Sequence, residues 1–327
     1  MSHVRNPVSR ARRTRAIIGA LAASMLLLAV GCGTAGDDSD TATRTVTDGS
    51  GKVTIPAKPT RVVAADASTY AQLVSLGIEP IAAVLPEGVP TEYFKPDGVQ
   101  VPNIVAEDGW TVSLDKALDL DADLIVTQQA DWNQENIDRY KKSPIPTYAL
   151  DEGWKDIDDV YTKYREFAKD MGRSDEAETT IDEFEKKLQD GKAELAPYVE
   201  QLGTVGIIRV TDEPWVGARV EDVVATALLP GLGLKVPEWP AANADGYFQV
   251  ELETLEQLDV PDTFFVETDT DPSKLSILES DVWKSLTPVE NHKVIMFTAK
   301  WWNGDLLQLG AIVDEIVDNV TKSVDAS

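Results

Sequence analysis

Two stretches of this chain repeat one pattern, and a repeat of that kind restricts the fold more than any other feature. "VSLDKALDLDADLIV" from Val112 and "VELETLEQLDVPDTFFV" from Val250 each read as a short helix with an acid at its start, a leucine, an aspartate and a buried strand. Asp115 corresponds to Glu253 and, one inserted residue later, Asp123 corresponds to Asp262. A second pair precedes them. "RVVAADASTYAQLVSLGIEPIAAV" reads as strand, polar loop, helix from about Ser68, then Leu76-Gly77 and another strand. "VGIIRVTDEPWVGARVEDVVATALLPGLGLKV" reads as strand, loop, helix and Leu232-Gly233. Glycine after a helix supplies the left-handed residue that other side chains resist. Short β-branched runs alternating with helices call for parallel sheets covered by helices. The fold class is therefore α/β, with two Rossmann-like lobes near residues 45–150 and 203–327 and a ligand cleft between them.

Residues 151–202 join the lobes. Val160, Tyr164, Phe167, Met171 and then Ile181, Phe184, Leu188, Leu195 recur at helical spacing. Gly172 closes the first helix, Ser174 caps the second, and Asp175 and Glu176 suit its positive end. From Asp175 to about Ala196 that helix spans roughly 33 Å at 1.5 Å per residue. A long rigid helix of this kind limits lobe closure. Ahead of the first lobe, "RTVTDGSGKVTIP" reads as a hairpin turning at Asp48-Gly49 and Gly51. Its "GSGK" is not a phosphate loop, because Val46 and Val53 stand where glycine and Ser or Thr are needed.

The N-terminus carries five arginines and no acid in its first fifteen residues, then the uncharged "AIIGALAASMLLLAVG" of residues 16–31. That is an export signal, short for a bilayer-spanning helix of about 20 residues. Cys32, the single cysteine, follows directly, so no intramolecular disulfide is available. Residues 32–44, rich in Asp, Gly, Ser and Thr, form a flexible tether. Beyond the leader, 25 basic residues face 56 acidic ones. Such a surface repels nucleic acid and favours a soluble monomer.

The chemistry that is missing narrows the function. Two histidines, one of them in the leader, cannot build a receptor with several imidazole ligands or a Ser-His-Asp machine, and there is no GxSxG. His292, beside the strand "HKVIMF", reads as a surface residue. Aromatics are more informative. Ligands of open parallel sheets bind at the C-terminal ends of strands. Trp110, Trp132, Trp215, Trp301 and Trp302 fall at or near such ends. Tryptophan offers a large rigid face suited to a bulky organic ligand in a half-open cleft. Arg209, at a strand end, and Arg219, before the next helix, either meet ligand oxygens or pair with the abundant acids. Lys300 is a weaker candidate of the same kind.

Taken together, these features resemble the ABC-transporter substrate-binding lipoproteins of the iron-siderophore and cobalamin type. "TVTDGSGKVTIPAKPTRVVAAD" is similar to that family's opening hairpin and first strand, the two duplicated helix-strand units resemble their counterparts, and "SDVWKSLTPVENHKVIMF" resembles its closing strand region. Leu28-Ala29-Val30-Gly31-Cys32 resembles a lipobox, which implies cleavage before Cys32 and its acylation at the outer face of the cell membrane. The resemblance implies a bilobed receptor without catalysis or a resident cofactor, and a permease dimer whose arginines dock on Asp115 and Glu253. The few bases and the acidic surface disfavour a strongly anionic triscatecholate, so a neutral or cationic ferric hydroxamate is the expected ligand. Two alternatives stay open: a cobalamin or haem receptor of the same fold, with Tyr70, Tyr93 or Tyr247 as axial candidates, or an exported hydrolase or surface interaction lipoprotein.

Overall fold

The computed structural model describes residues 42–86, 91, 93–95, 97–151, 153–211, 215–243, 246–268, 271–297 and 305–325. The leader, Cys32, Lys300, Trp301 and Trp302 lie outside the described residues.

A hairpin of Thr43–Asp48 (β1) and Gly51–Pro56 (β2) comes first. The first sheet follows, with Val62–Ala64 (β3), Ala82–Ala83 (β4), Leu124–Gln129 (β5) and Thr147–Asp151 (β6) in the order β4-β3-β5-β6. All its pairings are parallel. Ala67–Ser75 (α1), Leu114–Asp119 (α2) and Gln134–Lys141 (α3) connect these strands. The hairpin covers the open edge of β6. Gly49 N–H donates to the Ala149 carbonyl at 2.8 Å, and Ala149 N–H donates to Asp48 Oδ2 at 2.8 Å. That occupies backbone groups an edge strand would otherwise offer to another chain. Gly49 is required there, because a Cβ would come within 2.8 Å of Gln129 Cβ.

Helix α1 begins one residue earlier than its sequence suggests. Asp66 accepts the Thr69 N–H at 2.8 Å and donates its own N–H to Thr69 Oγ1 at 3.2 Å, a capping box that leaves Ser68 inside the helix.

Ile157–Met171 (α4) and Ser174–Leu195 (α5) form a helical hairpin, and Val199–Leu202 (α6) leads out of it. Gly172, at φ 70, stops α4 as expected. Ser174 does not cap α5; it is the first helical residue, with Arg173 at the cap and no side-chain capping bond. Two acids in the first turn, Asp175 and Glu176, lie at the positive end instead.

The second sheet contains Val205–Val210 (β7), Trp215–Arg219 (β8), Tyr247–Glu251 (β9), Thr263–Glu267 (β10) and Val294–Phe297 (β11). Its order is β11-β10-β7-β8-β9. Strands β11, β10 and β7 are parallel, but β8 and β9 are antiparallel. The expectation of a wholly parallel second lobe is corrected here: the assumed loop "TDEPWVGAR" contains β8. Its helices are Leu229–Gly231 (α7), which continues a π turn over Val224–Leu228, then Asp281–Lys284 (α8), Thr287–Glu290 (α9) and Leu306–Asp325 (α10). Pro230 has no N–H to donate back along the helix, consistent with the wider turn before it.

One apolar layer runs through both lobes. Leu73 of α1, Tyr164 of α4, Phe184 of α5, Phe265, Phe297 and Ile312 of α10 belong to a single buried cluster. Each fully buried large apolar side chain contributes about 2–3 kcal/mol. Gly191 lets α5 and α10 approach closely, since a Cβ there would meet Val313, Leu232 and Val317 at 3.0–3.3 Å. The long helix is therefore packed along its length and is not a free rod. Polar contacts reinforce the seam: Tyr164 Oη and Ser75 Oγ lie 2.6 Å apart, and Thr180 Oγ1 donates to the Ser75 carbonyl at 3.1 Å.

Candidate functional site

The side chains with the most unusual chemistry stand on one face of the second sheet. Register sets Glu267, Arg209, Gly217 and Gln249 side by side across β10, β7, β8 and β9. Because strands alternate their faces, Trp215, Arg219 and Tyr247 share that surface, while Val216, Ala218 and Val250 enter the core behind it. The sequence of β8 is thus polar or aromatic on one face and apolar on the other. Trp215 meets Tyr247 edge to face at 6.0 Å. Both rings crowd over Gly217, where a Cβ would come within 3.0 Å of each. The Arg219 guanidinium lies 5.2 Å from the Tyr247 ring centre.

A carboxylate joins the arginines. Arg209 Nη1 donates to Glu267 Oε1 at 2.9 Å. Arg219 forks onto the same group, Nε to Oε2 at 2.6 Å and Nη2 to Oε1 at 3.0 Å, and its Nη1 reaches Asp222 Oδ2 at 2.9 Å. Glu267 and Arg219 are buried. Burial alone would disfavour the Arg219 charge, but Glu267 and Asp222 outweigh it and push its pKa up. Burial pushes the Tyr247 hydroxyl up as well. Asp222 has a second task, accepting the Ala225 N–H at 2.7 Å. Of the two roles open to the arginines, the acid pairing is present for both. Arg219 itself closes β8 and does not lie in a loop.

In the first lobe, Trp110 and Trp132 are both 72% exposed. Each is held outward by its neighbours. Asp108 accepts the N–H groups of Trp110 and Thr111, each at 2.9 Å, and these bonds, the Thr111 hydroxyl foremost, hold its carboxyl below the usual range. That turn leaves Trp110 at its tip. After β5, Asn133 is buried, donating to Thr127 Oγ1 at 3.0 Å and to the Gln128 carbonyl at 2.7 Å. With Asn133 turned in, Trp132 beside it is turned out. Trp283 shows the contrast: it is buried and stacked on Phe264 at 5.6 Å.

Two carboxylates, Asp305 buried and Asp66 half-buried, begin helices from different parts of the chain. Asp66 caps α1, and Asp305 accepts the Gln308 N–H of α10 at 2.9 Å. Burial pushes Asp66 up to about 6 and Asp305 up to about 7, against the opposing effect of those N–H groups. The charge of Asp66 adds to the shift of Asp305. Tyr70, an axial candidate by sequence, is fully buried and donates its hydroxyl to Glu79 Oε1 at 2.9 Å, so it cannot face a ligand in a cleft. His292 is exposed in a turn at φ 57.

Asp115 and Glu253 occupy equivalent places. Each is exposed in the first turn of its helix, Asp115 in α2 and Glu253 in the segment Leu252–Leu258. The second segment is the short helix read there, in 3-10 form with a break at Thr254. Among the described residues, no group of three or more His, Cys, Asp or Glu side chains could hold a metal ion.

Sequence reasoning missed Glu267, Asp222 and Gly217. The available signal was period-two alternation in "WVGAR" and an acid ending the buried run "TFFVE".

This architecture is that of a bilobed substrate-binding protein, and the chain belongs to the periplasmic binding protein family, whose model matches residues 62–300. It is a binding component and not an enzyme. The iron(3+)-hydroxamate-binding protein YxeB of Bacillus subtilis (strain 168) is 30% identical, over 94% of this chain and 96% of that relative. The putative ABC transporter substrate-binding lipoprotein YhfQ of the same strain is 26% identical, over 93% and 97% respectively. Among solved structures, the FhuD-fold binding component of a Fep/Fec-like ferrichrome ABC transporter from Bacillus subtilis matches with a TM-score of 0.65 and 26% identity, covering 85% of this chain and 100% of that one.

Proposed function

We propose that this protein captures a ferric hydroxamate siderophore outside the cytoplasmic membrane and delivers it to an ABC permease dimer. The observation that carries the reading is that the first lobe presents two exposed tryptophans, Trp110 and Trp132, and the second sheet an aromatic and arginine surface. Trp110 and Trp132 contact the ligand from the first lobe; Trp215 and Arg209 contact it from the second, where Arg219 is buried and supports that surface through Glu267. Trp301 and Trp302, by their place after β11, complete the aromatic set. Aromatic faces suit the organic shell of a chelate and any positive charge on it. The relatives named for hydroxamate and ferrichrome support the ligand class.

Cys32 carries the lipid that holds the receptor, a monomer, at the membrane. Asp115 and Glu253, one exposed carboxylate per lobe, dock on basic groups of the permease. The function is tested by titrating the protein with ferrioxamine B and following tryptophan fluorescence. Saturable quenching at micromolar ligand is expected; no quenching at that concentration contradicts the hydroxamate assignment.

A further inference from the structure

One place on the aromatic surface of the second lobe has no side chain at all. Gly217 sits in the middle of β8, buried, between Arg209 of β7 and Gln249 of β9. Glycine weakens a strand interior, because it loses more chain entropy on folding and packs no side chain. The backbone does not require it here: φ at Gly217 lies outside the positive range that Gly203, Gly233 and Gly246 use. What requires it is the space above it. A Cβ would meet Tyr247 Cδ1 at 2.9 Å, Trp215 Cζ3 at 3.0 Å and Tyr247 Cγ at 3.4 Å. The two rings come from neighbouring strands and close over the bare backbone, edge to face at 6.0 Å. The Arg219 guanidinium lies 5.2 Å from the Tyr247 ring centre, so a ring pushed off Gly217 has that contact to lose as well. Both rings are nonetheless half-exposed.

We infer that Gly217 is a positioning residue for ligand binding: by adding no side chain it seats Trp215 and Tyr247 low against β8 as one aromatic surface for the ligand. This rests on Trp215 being part of the ligand site, as set out under the proposed function. Aromatic rings that cover a strand glycine also stabilise a sheet, so a purely structural role predicts that a side chain at 217 changes stability and leaves affinity alone. Distance separates the two roles. A rigid aromatic face must meet a bulky ligand at van der Waals contact, and a gap of about 0.5–1 Å forfeits a quarter to a half of each contact. A methyl group at 217 displaces both rings, and with them the face that Trp215 offers.

The experiment is a double-mutant cycle on the full-length protein: wild type, Gly217→Ala, Trp215→Ala and the double variant. Each is titrated with ferrioxamine B and read, without ligand, by near-ultraviolet circular dichroism, which follows the packing of aromatic rings. Gly217→Ala should weaken ferrioxamine B by about tenfold, part of what an aromatic anchor is worth, and change the aromatic dichroism. In the Trp215→Ala background the same substitution should cost about threefold or less. Equal losses in both backgrounds, or an unchanged Kd with a changed melting temperature, overturn the inference. Should Gly217→Ala fail to fold, Tyr247→Leu removes the ring that holds Trp215 in place and should weaken ferrioxamine B by about threefold or more; an unchanged Kd there overturns it equally. Wild-type protein that ignores ferrioxamine B contradicts the hydroxamate reading by itself. The dichroism of Gly217→Ala then decides the role of Gly217: an altered aromatic band supports it, and an unaltered one overturns it.

Discussion

The two lobes share a frame and differ at one edge. In both, a strand is followed on the same side by two parallel partners: β3 by β5 and β6, and β7 by β10 and β11. In both, an aspartate ahead of the next strand clamps the start of the first. Asp123 accepts the Thr60 N–H at 2.8 Å and the Arg61 N–H at 3.0 Å; Asp262 accepts the Thr204 N–H and its hydroxyl, each at 2.8 Å. On the other edge the lobes part. Strand β3 takes the short parallel β4, while β7 takes the antiparallel pair β8 and β9. Trp215, Gly217, Arg219 and Tyr247 all lie on that added pair. A duplicated frame can hold its geometry fixed while strands outside the duplication carry a different set of side chains.

The largest effect expected concerns the matched acids. Changing Asp115 and Glu253 together to lysine should abolish uptake of ferrioxamine-bound iron by cells while leaving affinity in solution unchanged. Persistent uptake would break the equivalence of the two exposed helix starts. Next comes the edge that differs. Trp215→Ala should weaken ferrioxamine B binding by roughly 30-fold, the scale of losing an aromatic anchor worth about 2 kcal/mol. Isothermal titration of the variant checks this, and an unchanged Kd would remove β8 from the site.

The two aspartate caps give a pH signature. Unfolded aspartates ionise near 4. Folded Asp66 and Asp305 hold their protons to about 6 and about 7. Their ionisation therefore disfavours the folded state, increasingly as pH rises from about 4 to about 7, and the loss is complete above that window. Asp305→Asn keeps a capping acceptor without the charge. It should gain on the order of 1–3 kcal/mol over wild type at pH 8 and nothing at pH 4, read by denaturant unfolding at both. The smallest effect tests the shared frame: Asp123→Ala and Asp262→Ala should each cost about 1–2 kcal/mol, by the loss of charge-assisted hydrogen bonds. Thermal melts of the two variants that differ widely would argue against equivalent clamps.

Much of the frame was legible because it rests on local rules. Helical spacing picked out Val160, Tyr164, Phe167 and Met171, all of which are buried, and Gly172 stops its helix in the left-handed region. The match of Asp123 to Asp262 is visible in the chain and reappears as the same hydrogen bonds. What escaped notice depends on pairing between distant strands. Strand β8 has no counterpart in the first lobe, so the repeat does not reveal it, although "WVGAR" alternates as a strand should. Glu267 lies 48 positions from Arg219 and 58 from Arg209, and only the sheet brings them together. Residue type alone marks the candidates in the sequence. Their grouping, and the carboxylate that links the arginines, came from register.

The central claim is that unlike surfaces of the two lobes hold one ligand. Hydrogen exchange with and without ferrioxamine B measures it directly, peptide by peptide, on the full-length protein. Protection on binding should appear both in residues 106–111 and 128–133 of the first lobe and in residues 215–219 and 247–251 of the second. Protection confined to one lobe, or absent from β8 and β9, would contradict it.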